Sequence, residues 1–436
     1  MSSQQPFGSI TSMTWSKAVV HLDGDSFFAS VEQALDWRLR GKPVVTGGER
    51  GAATAMSIEA KKAGVRRGMN MREVRTVCPD AVIVPGNYTA YSIYAHRMYR
   101  IVRGFTPEVE EYSIDECFAD ITGLTGSYRN SYEDIALMIK RQLESDLGIT
   151  FGVGLAPNKT LAKVASSWRK PAGFTAIPRE AVTDFIRDIP MGGIWGVGFS
   201  TSLTLERFGI RSALDFASKD QAWLKQKKIS KPYQEIWTEL NGGFVKEIGT
   251  EGSAPQSIIK SHTFPRTRDP RHLLSQLAKN LEDACAKARR HKVKARLCRF
   301  YLKTQAFQYQ GLTLDLGIWL NDPREFLRAV ETHFHDVYEP GVEYRATGIG
   351  LYVLTSEAAV TPDLFGASDR VEREAPLLSA VDRLNHKYGR HTVFLAESLD
   401  AITDSEDERE ARGRTVVLPI SQRKKTISIP HLGTAH

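Results

Sequence analysis

Residues 111–120 read EYSIDECFAD, and the fold turns on how this stretch is laid down. Asp115 and Glu116 stand side by side among Val109, Tyr112, Ile114, Cys117, Phe118 and Ile121, the β-branched and aromatic types that favour a strand. An unbroken strand would aim the two acids at opposite faces. A turn or bulge at 113–116 would bring both to one edge. Carboxylates held close together disfavour joint ionisation. A divalent cation removes that conflict, because its charge dominates such a site. The stretch therefore reads either as part of a metal site or as a solvated hairpin tip, since turns collect acids.

A second stretch, AVVHLDGDSFF at 18–28, bears on that choice. Residues 18–22 are a short apolar run, predicted as a strand, with Asp23 and Asp25 at its end. Ser26 is the predicted N-cap of a helix over 26–37. A carboxylate at a strand end before a helix lies where α/β folds place active sites. Asp23 brought beside Asp115 and Glu116 gives three hard oxygen ligands, suited to Mg²⁺ with substrate phosphates completing the shell. Two such ions about 3.5–4 Å apart would activate an attacking oxygen and stabilise a leaving one.

With these two stretches go GVGLAPNKTLAKVAS (152–166) and IWGVG (194–198). The ordered set DGDSFFASVE, YSIDECFADITG, GVGLAPNKTLAKVAS and IWGVG resembles the Y-family translesion DNA polymerases, nearest to the DinB and UmuC branch (the impB/mucB/samB family). The likeness runs from about residue 18 to 354, and a weaker one to UmuC continues through 377–396. It implies an α+β multidomain fold shaped as a right hand. A ferredoxin-like palm would take 16–41 and 88–178, small fingers 42–87, a helical helix-hairpin-helix thumb 179–251 and an α/β little finger 257–355. A loose arm (1–15) would precede these and a partly disordered tail (356–436) would follow.

The implied activity is template-directed addition of deoxynucleotides to a primer 3′-OH, with low fidelity and a place in DNA damage tolerance, DNA repair and SOS mutagenesis. The resemblance assigns Asp23, Asp115, Glu116 and the main-chain carbonyl of Gly24 to two Mg²⁺ ions, for which Mn²⁺ can substitute. Phe28 matches the steric gate, a bulky ring under the sugar of the incoming nucleotide that refuses a 2′-OH by overlap. Lys170 matches a triphosphate-binding lysine. Ile58 and Lys61 stand where the family commonly has a Tyr and an Arg. Ile58 cannot hydrogen-bond and Lys61 lacks the guanidinium fork, so Ser57 is a candidate to compensate. No second acid constellation suggests a proofreading exonuclease.

At 436 residues the chain should hold two to four domains. Its net charge of +7 is unevenly spread: residues 257–303 hold thirteen Lys/Arg against three acids. Such a local excess suits a phosphate backbone, though it also suits a solvated helix face. No apolar run approaches the roughly 20 residues of a membrane span, and the start lacks the layout of a signal peptide. Cys78, Cys117, Cys285 and Cys298 form no CxxC pair, so reduced thiols, no structural zinc and a cytoplasmic location are expected, at the nucleoid if the source is bacterial.

The pattern predicts a helix over 54–64 in the 42–87 insertion, and in the palm region helices over 88–104, 132–146 and 158–168 and a strand over 149–155, in a mixed sheet with helices on one face. Asn158 and Thr160 are candidate caps. Lys159, Lys163 and Lys170 are candidate cations. Gly196 and Gly198 would let backbone amides approach a DNA phosphate at a helix N-terminus, with no base read. Farther on, 293–303 alternates apolar and basic residues and shifts phase at 298–299, which suggests a bulge. Lys260, Lys294 and Arg296 are the DNA-binding candidates there.

TPDLF at 361–365 resembles the peptide by which bacterial polymerases bind a sliding clamp. Leu364 and Phe365 form its apolar pair, and Thr361 and Pro362 replace the usual Gln and first Leu. An SOS accessory protein is a further candidate partner, beside primer-template DNA and dNTPs. The acidic run at 400–410 and the basic one at 423–425 read as disordered. Two other classes compete: a nucleotidyl cyclase or two-metal nuclease could use similar acids, and a silent DNA-binding relative would lack one of them.

Overall fold

The computed structural model describes residues 15–48, 51–249, 255–360 and 367–403, in two units, Met1–Gly252 and Ser253–His436. In the first unit the strands are β1 (Val19–Gly24), β2 (Val44–Thr46), β3 (Ala55–Met56), β4 (Val82–Val84), β5 (Val109–Ser113), β6 (Glu116–Asp120), β7 (Phe151–Ala156) and β8 (Phe174–Ala176). Its helices are α1 (Phe27–Leu35), α2 (Ile58–Lys62), α3 (Met71–Val77), α4 (Tyr88–Arg103), α5 (Thr125–Tyr128), α6 (Tyr132–Leu147) and α7 (Lys159–Trp168). Five more follow: α8 (Val182–Phe185), α9 (Phe199–Arg207), α10 (Ala213–Ala217), α11 (Gln221–Gln226) and α12 (Lys231–Leu240).

The main sheet has the order β5-β6-β1-β7-β8. Strands β5, β6, β1 and β7 run antiparallel to their neighbours, and β8 is parallel to β7. With α4 between β1 and β5 and α6 between β6 and β7, this is the ferredoxin-like arrangement. Alternation divides the side chains. Val20, Leu22, Cys117, Ala119, Val153 and Leu155 join the core with Tyr91 and Met98 of α4 and Ile139 and Leu143 of α6.

The opposite face carries His21, Asp23, Glu116 and Phe118, and α7 packs on it, so the expectation of helices on one face only is corrected. Gly152 and Gly154 are the reason. They pair with Asp23 and His21 on that face, and a Cβ at Gly154 would lie 2.1 Å from the Ala162 carbonyl oxygen and 2.4 Å from the Ser166 nitrogen. Only glycine permits this approach. Leu161, Ala162 and Ala165 of α7 then share a core with Val19, Phe118 and the helical region 182–240.

Residues 55–56 depart from the predicted helix over 54–64. They pair with β2, whose other edge takes β4 in parallel, so strand pairing there satisfies backbone groups a longer helix would use internally. The helix is confined to α2. Ser26 also departs from its predicted role: it occupies the N-cap position of α1 at φ 52 with no side-chain capping bond. Asn158 does cap α7, accepting from the Leu161 nitrogen. All four cysteines are buried and unbridged.

The second unit contains β9 (Ile258–Thr267), α13 (Pro270–Arg290), β10 (Val293–Thr304), β11 (Tyr309–Leu320), α14 (Pro323–His333), β12 (Tyr344–Ser356) and α15 (Ala367–Tyr388), with sheet order β11-β10-β12-β9. Leu273, Leu277, Leu281, Ala284 and Ala288 of α13 sit in its core. The β10–β11 irregularity falls between Ala295 and Leu297, not at 298–299. Gly317 of β11 and Val353 of β12 take positive φ beside it and absorb the distortion.

The expected tail boundary at 356 is also corrected. Residues beyond it pack on α13: the Ala401 nitrogen donates to Ser275 Oγ, the Leu395 nitrogen and Ser398 Oγ donate to Glu282, and Arg289 makes a two-pronged pair with Asp382. Residues 1–14 of the expected arm (1–15), the clamp peptide at 361–365, residues 404–410 of the acidic run (400–410) and the basic run at 423–425 lie outside the described residues.

Candidate active site

Asp23 is inside β1, which runs two residues past its predicted end. It pairs with Glu116 across the β1–β6 ladder. The predicted turn is present: Ser113 pairs with Glu116, leaving Ile114 and Asp115 as the loop of a hairpin. The Gly24 nitrogen donates to the Asp115 carbonyl at 2.9 Å, and Ser113 Oγ donates to Asp115 Oδ1 at 2.6 Å. Asp23 and the pair Asp115–Glu116, distant from it in sequence, thus occupy adjoining positions at one sheet end. Asp25 is buried and plays another part: its Oδ2 accepts from Thr150 Oγ1 at 2.9 Å and from the Ala172 nitrogen at 2.7 Å, tying the loop after α7 to β1.

Helix α7 and the turn after it supply cations. Lys163 Nζ donates to Glu116 Oε2 at 2.8 Å, and Lys170 Nζ lies 2.6 Å from Asp23 Oδ1. Lys159, also a candidate cation, is instead buried against Phe118, its ammonium held by both oxygens of Glu110. His21, which no motif singled out, is fully buried with Nε2 3.0 Å from Glu116 Oε2 and Nδ1 2.7 Å from Ser166 Oγ. Its signal in the sequence is its place two residues before Asp23 in a strand, hence on the same face.

Burial alone would raise the Glu116 carboxyl, but hydrogen bonds from His21 and Lys163 outweigh it and bring it down to about 2. For Asp23 burial wins over Lys170, and the carboxyl stands above its usual range. Burial pulls the His21 imidazole down, against the pull of Glu116.

Among the described residues no three His, Cys, Asp or Glu side chains already form a cage for a metal ion. Lys163 and Lys170 each hold one carboxylate oxygen, of Glu116 and Asp23. The donor chemistry nevertheless fits a hard divalent cation: three carboxylates and a strand-end carbonyl, Gly24, at adjoining positions.

Phe28 stacks on Tyr91, with ring centroids 4.3 Å apart and planes 10° apart, and meets Tyr88 edge-on at 5.6 Å. Tyr91 is fully buried and donates to Glu32 Oε1, so the Phe28 ring rests on a fixed platform. Ser57 is corrected as a nucleotide contact. It is fully buried and caps α2, and its hydroxyl also engages the Val44 nitrogen and the Lys42 carbonyl. Lys61 is exposed in the last turn of α2.

Gly196 has φ +88, and Gly198 begins α9 without a side-chain cap. A Cβ at Gly198 would meet nothing within 4 Å, so the helix N-terminus is open. Trp195 just before them donates to the Tyr112 hydroxyl at 3.1 Å, linking this turn to the acid hairpin. In the second unit Lys260 and Lys294 line a cleft of about 1390 Å³ together with Lys287, Arg290, Arg383 and Arg390. Arg296 is not a free cation: it makes a two-pronged ion pair with Asp315 at 2.9 and 3.0 Å.

Two family models match the chain: the impB/mucB/samB family over residues 22–167 and the impB/mucB/samB family C-terminal domain over 255–364. Curated relatives include the DNA polymerase IV of Moorella thermoacetica, 32% identical over 88% of this chain and 96% of that protein. The DNA polymerase IV of Pelotomaculum thermopropionicum is 30% identical over 86% of this chain and 94% of that protein. Among solved structures, a Y-family DNA polymerase chimera of Dbh and Dpo4 covers 78% of this chain and 99% of its own, at TM-score 0.66 and 24% identity. An insertion ternary complex of Dbh DNA polymerase covers 77% and 98%, at TM-score 0.54 and 25% identity.

Proposed function

The chain belongs to the impB/mucB/samB family of Y-family translesion DNA polymerases and is a DNA-directed DNA polymerase, and on that premise we propose that Asp23, Asp115 and Glu116 are its catalytic acids. The observation that carries this is the pairing of Asp23 with Glu116 and of Gly24 with Asp115 at one sheet end. The family implies a divalent cation. Here Asp23, Asp115, Glu116 and the Gly24 carbonyl would hold two Mg²⁺ ions, with Mn²⁺ able to substitute. When bound, such ions supply positive charge to the attacking 3′ oxygen, the α-phosphate and the departing pyrophosphate.

The protein's own groups do the positioning. Lys170, one-third exposed beside Asp23, would take the triphosphate, with Lys61 as a second and weaker contact. Phe28 would lie under the sugar and exclude a 2′-OH. The amides at Gly196 and Gly198 would grip DNA phosphates through an open helix N-terminus, and Lys260 and Lys294 would add charge along the backbone. Binding of primer-template DNA and a dNTP is supported by the likeness to a polymerase ternary complex. A sliding clamp at 361–365 and an SOS accessory protein are proposed partners on the sequence resemblance alone. No described helix is long and apolar enough to cross a membrane; a cytoplasmic site of action is proposed.

Primer extension by wild type and by Asp115→Asn/Glu116→Gln tests the site. Loss of extension with DNA binding retained is expected. Extension surviving in the double variant rejects the assignment of these acids.

A further inference from the structure

We propose that Ser166 and His21 form a positioning relay for Glu116, in which Ser166 Oγ holds His21 Nδ1 and His21 Nε2–H donates to Glu116 Oε2. The inference rests on the catalytic reading of Glu116 given above. Geometry carries it. His21 is fully buried and both of its ring nitrogens are engaged, Nε2 at 3.0 Å from Glu116 Oε2 and Nδ1 at 2.7 Å from Ser166 Oγ. A carboxylate oxygen accepts, so Nε2 turns its N–H to Glu116. The Ser166 hydroxyl is itself tied to the Lys163 carbonyl at 2.9 Å, so the far side of the ring is anchored to α7.

The result is directional. Oε2 of Glu116 receives two donors, Lys163 Nζ and His21 Nε2. Among the described residues Oε1 receives none, and in the proposal it is the oxygen kept available to a metal ion. His21 touches no reacting atom and acts through Glu116. Partners of this kind behind a metal ligand are commonly worth roughly 10- to 100-fold in metal affinity or activity. The competing account makes His21 a packing residue, since its ring lies 4.5 Å from that of Phe118.

Three variants separate the accounts. His21→Leu fills space without a donor. His21→Gln keeps an N–H able to reach Glu116. Ser166→Ala removes the anchor and leaves the ring. The readouts are Mn²⁺ binding to the DNA-free protein by electron paramagnetic resonance and single-turnover dNTP incorporation. His21→Leu should weaken Mn²⁺ binding and lower the rate by about 10-fold or more at an unchanged dNTP half-saturation. His21→Gln should recover most of both, and Ser166→Ala should shift both in the same direction by less. A folded His21→Leu protein with wild-type Mn²⁺ affinity and rate overturns the relay, as does a His21→Gln no better than Leu. Should His21→Leu fail to fold, an unaltered Ser166→Ala overturns it instead. Full activity in Glu116→Gln would be a different failure, that of the site itself.

Discussion

Replacing Gly154 by alanine should damage stability and the active site together. The added Cβ would lie 2.1 Å from the Ala162 carbonyl oxygen, 2.4 Å from the Ser166 nitrogen and 2.8 Å from Ala165 Cβ, where ordinary contact begins at 3.4 Å. The shortfall is about 1.3 Å against α7 backbone, which cannot rotate aside as a side chain could. Overpacking costs typically about 1–3 kcal/mol, and the obstacle here is helix backbone, so about 3 kcal/mol or more is expected. Lifting α7 by 1 Å also stretches the Lys163–Glu116 bond beyond hydrogen-bond length. Misplacement on that scale can cost up to about 100-fold in rate. Urea unfolding and primer extension measure the two effects. Gly126→Ala in α5 is the control: a Cβ there meets nothing within 4 Å, and the change should be neutral or stabilise by up to about 1 kcal/mol. A Gly154→Ala protein within about 0.5 kcal/mol of wild type and with full extension activity would refute the close-packing argument.

Four further outcomes are expected. Phe28→Ala should admit ribonucleotides in primer extension; unchanged sugar selection removes the gate role. Lys170→Ala should raise the half-saturating dNTP concentration about 10- to 100-fold, the value of one charged hydrogen bond, with a smaller change in rate; a changed rate at constant half-saturation argues against a triphosphate contact. Glu116 titrates near 2 when folded and near 4.5 when not, so its contribution to stability is present above pH 4.5 and is lost as pH falls through about 2. The stability gap between wild type and Glu116→Gln should accordingly shrink by about 2 kcal/mol from pH 6 to pH 3, and a pH-independent gap contradicts the assignment. Arg289→Ala leaves Asp382 without its partner, so hydrogen exchange should quicken in 375–403 before the β9–β12 sheet; uniform exchange would show that this pair does not hold the segment.

The acids were legible because both motifs are short strands with carboxylates at their ends, and strand alternation with one turn suffices to align them. Their supporting groups were not. His21 reads as an ordinary strand residue until Ser166, 145 positions away, is brought to its ring. Gly152 and Gly154 read as too few for a phosphate loop; their use is the closeness of a helix, a tertiary fact. Ser57 and Lys159 were plausible contacts by type, but burial takes both out of reach, and burial is not local. Residues 375–403 look polar and tail-like, yet a few anchors, Asp382, Leu395, Ser398 and Ala401, attach them to α13. The fold's outline depends on periodicity, which a sequence displays; which polar group meets which depends on packing, which it does not.

The pairs Lys170–Asp23 and Lys163–Glu116 have a consequence for how the enzyme is loaded. The acidic pocket carries its own internal counter-ions, so at rest its charge is largely balanced without any metal. On the proposed assignment, an arriving cation would compete with Lys170 for Asp23. A nucleotide triphosphate would offer Lys170 a new partner. Uptake of ion and nucleotide would then be mutually reinforcing, and the polymerase would have little reason to hold metal tightly when it has nothing to copy.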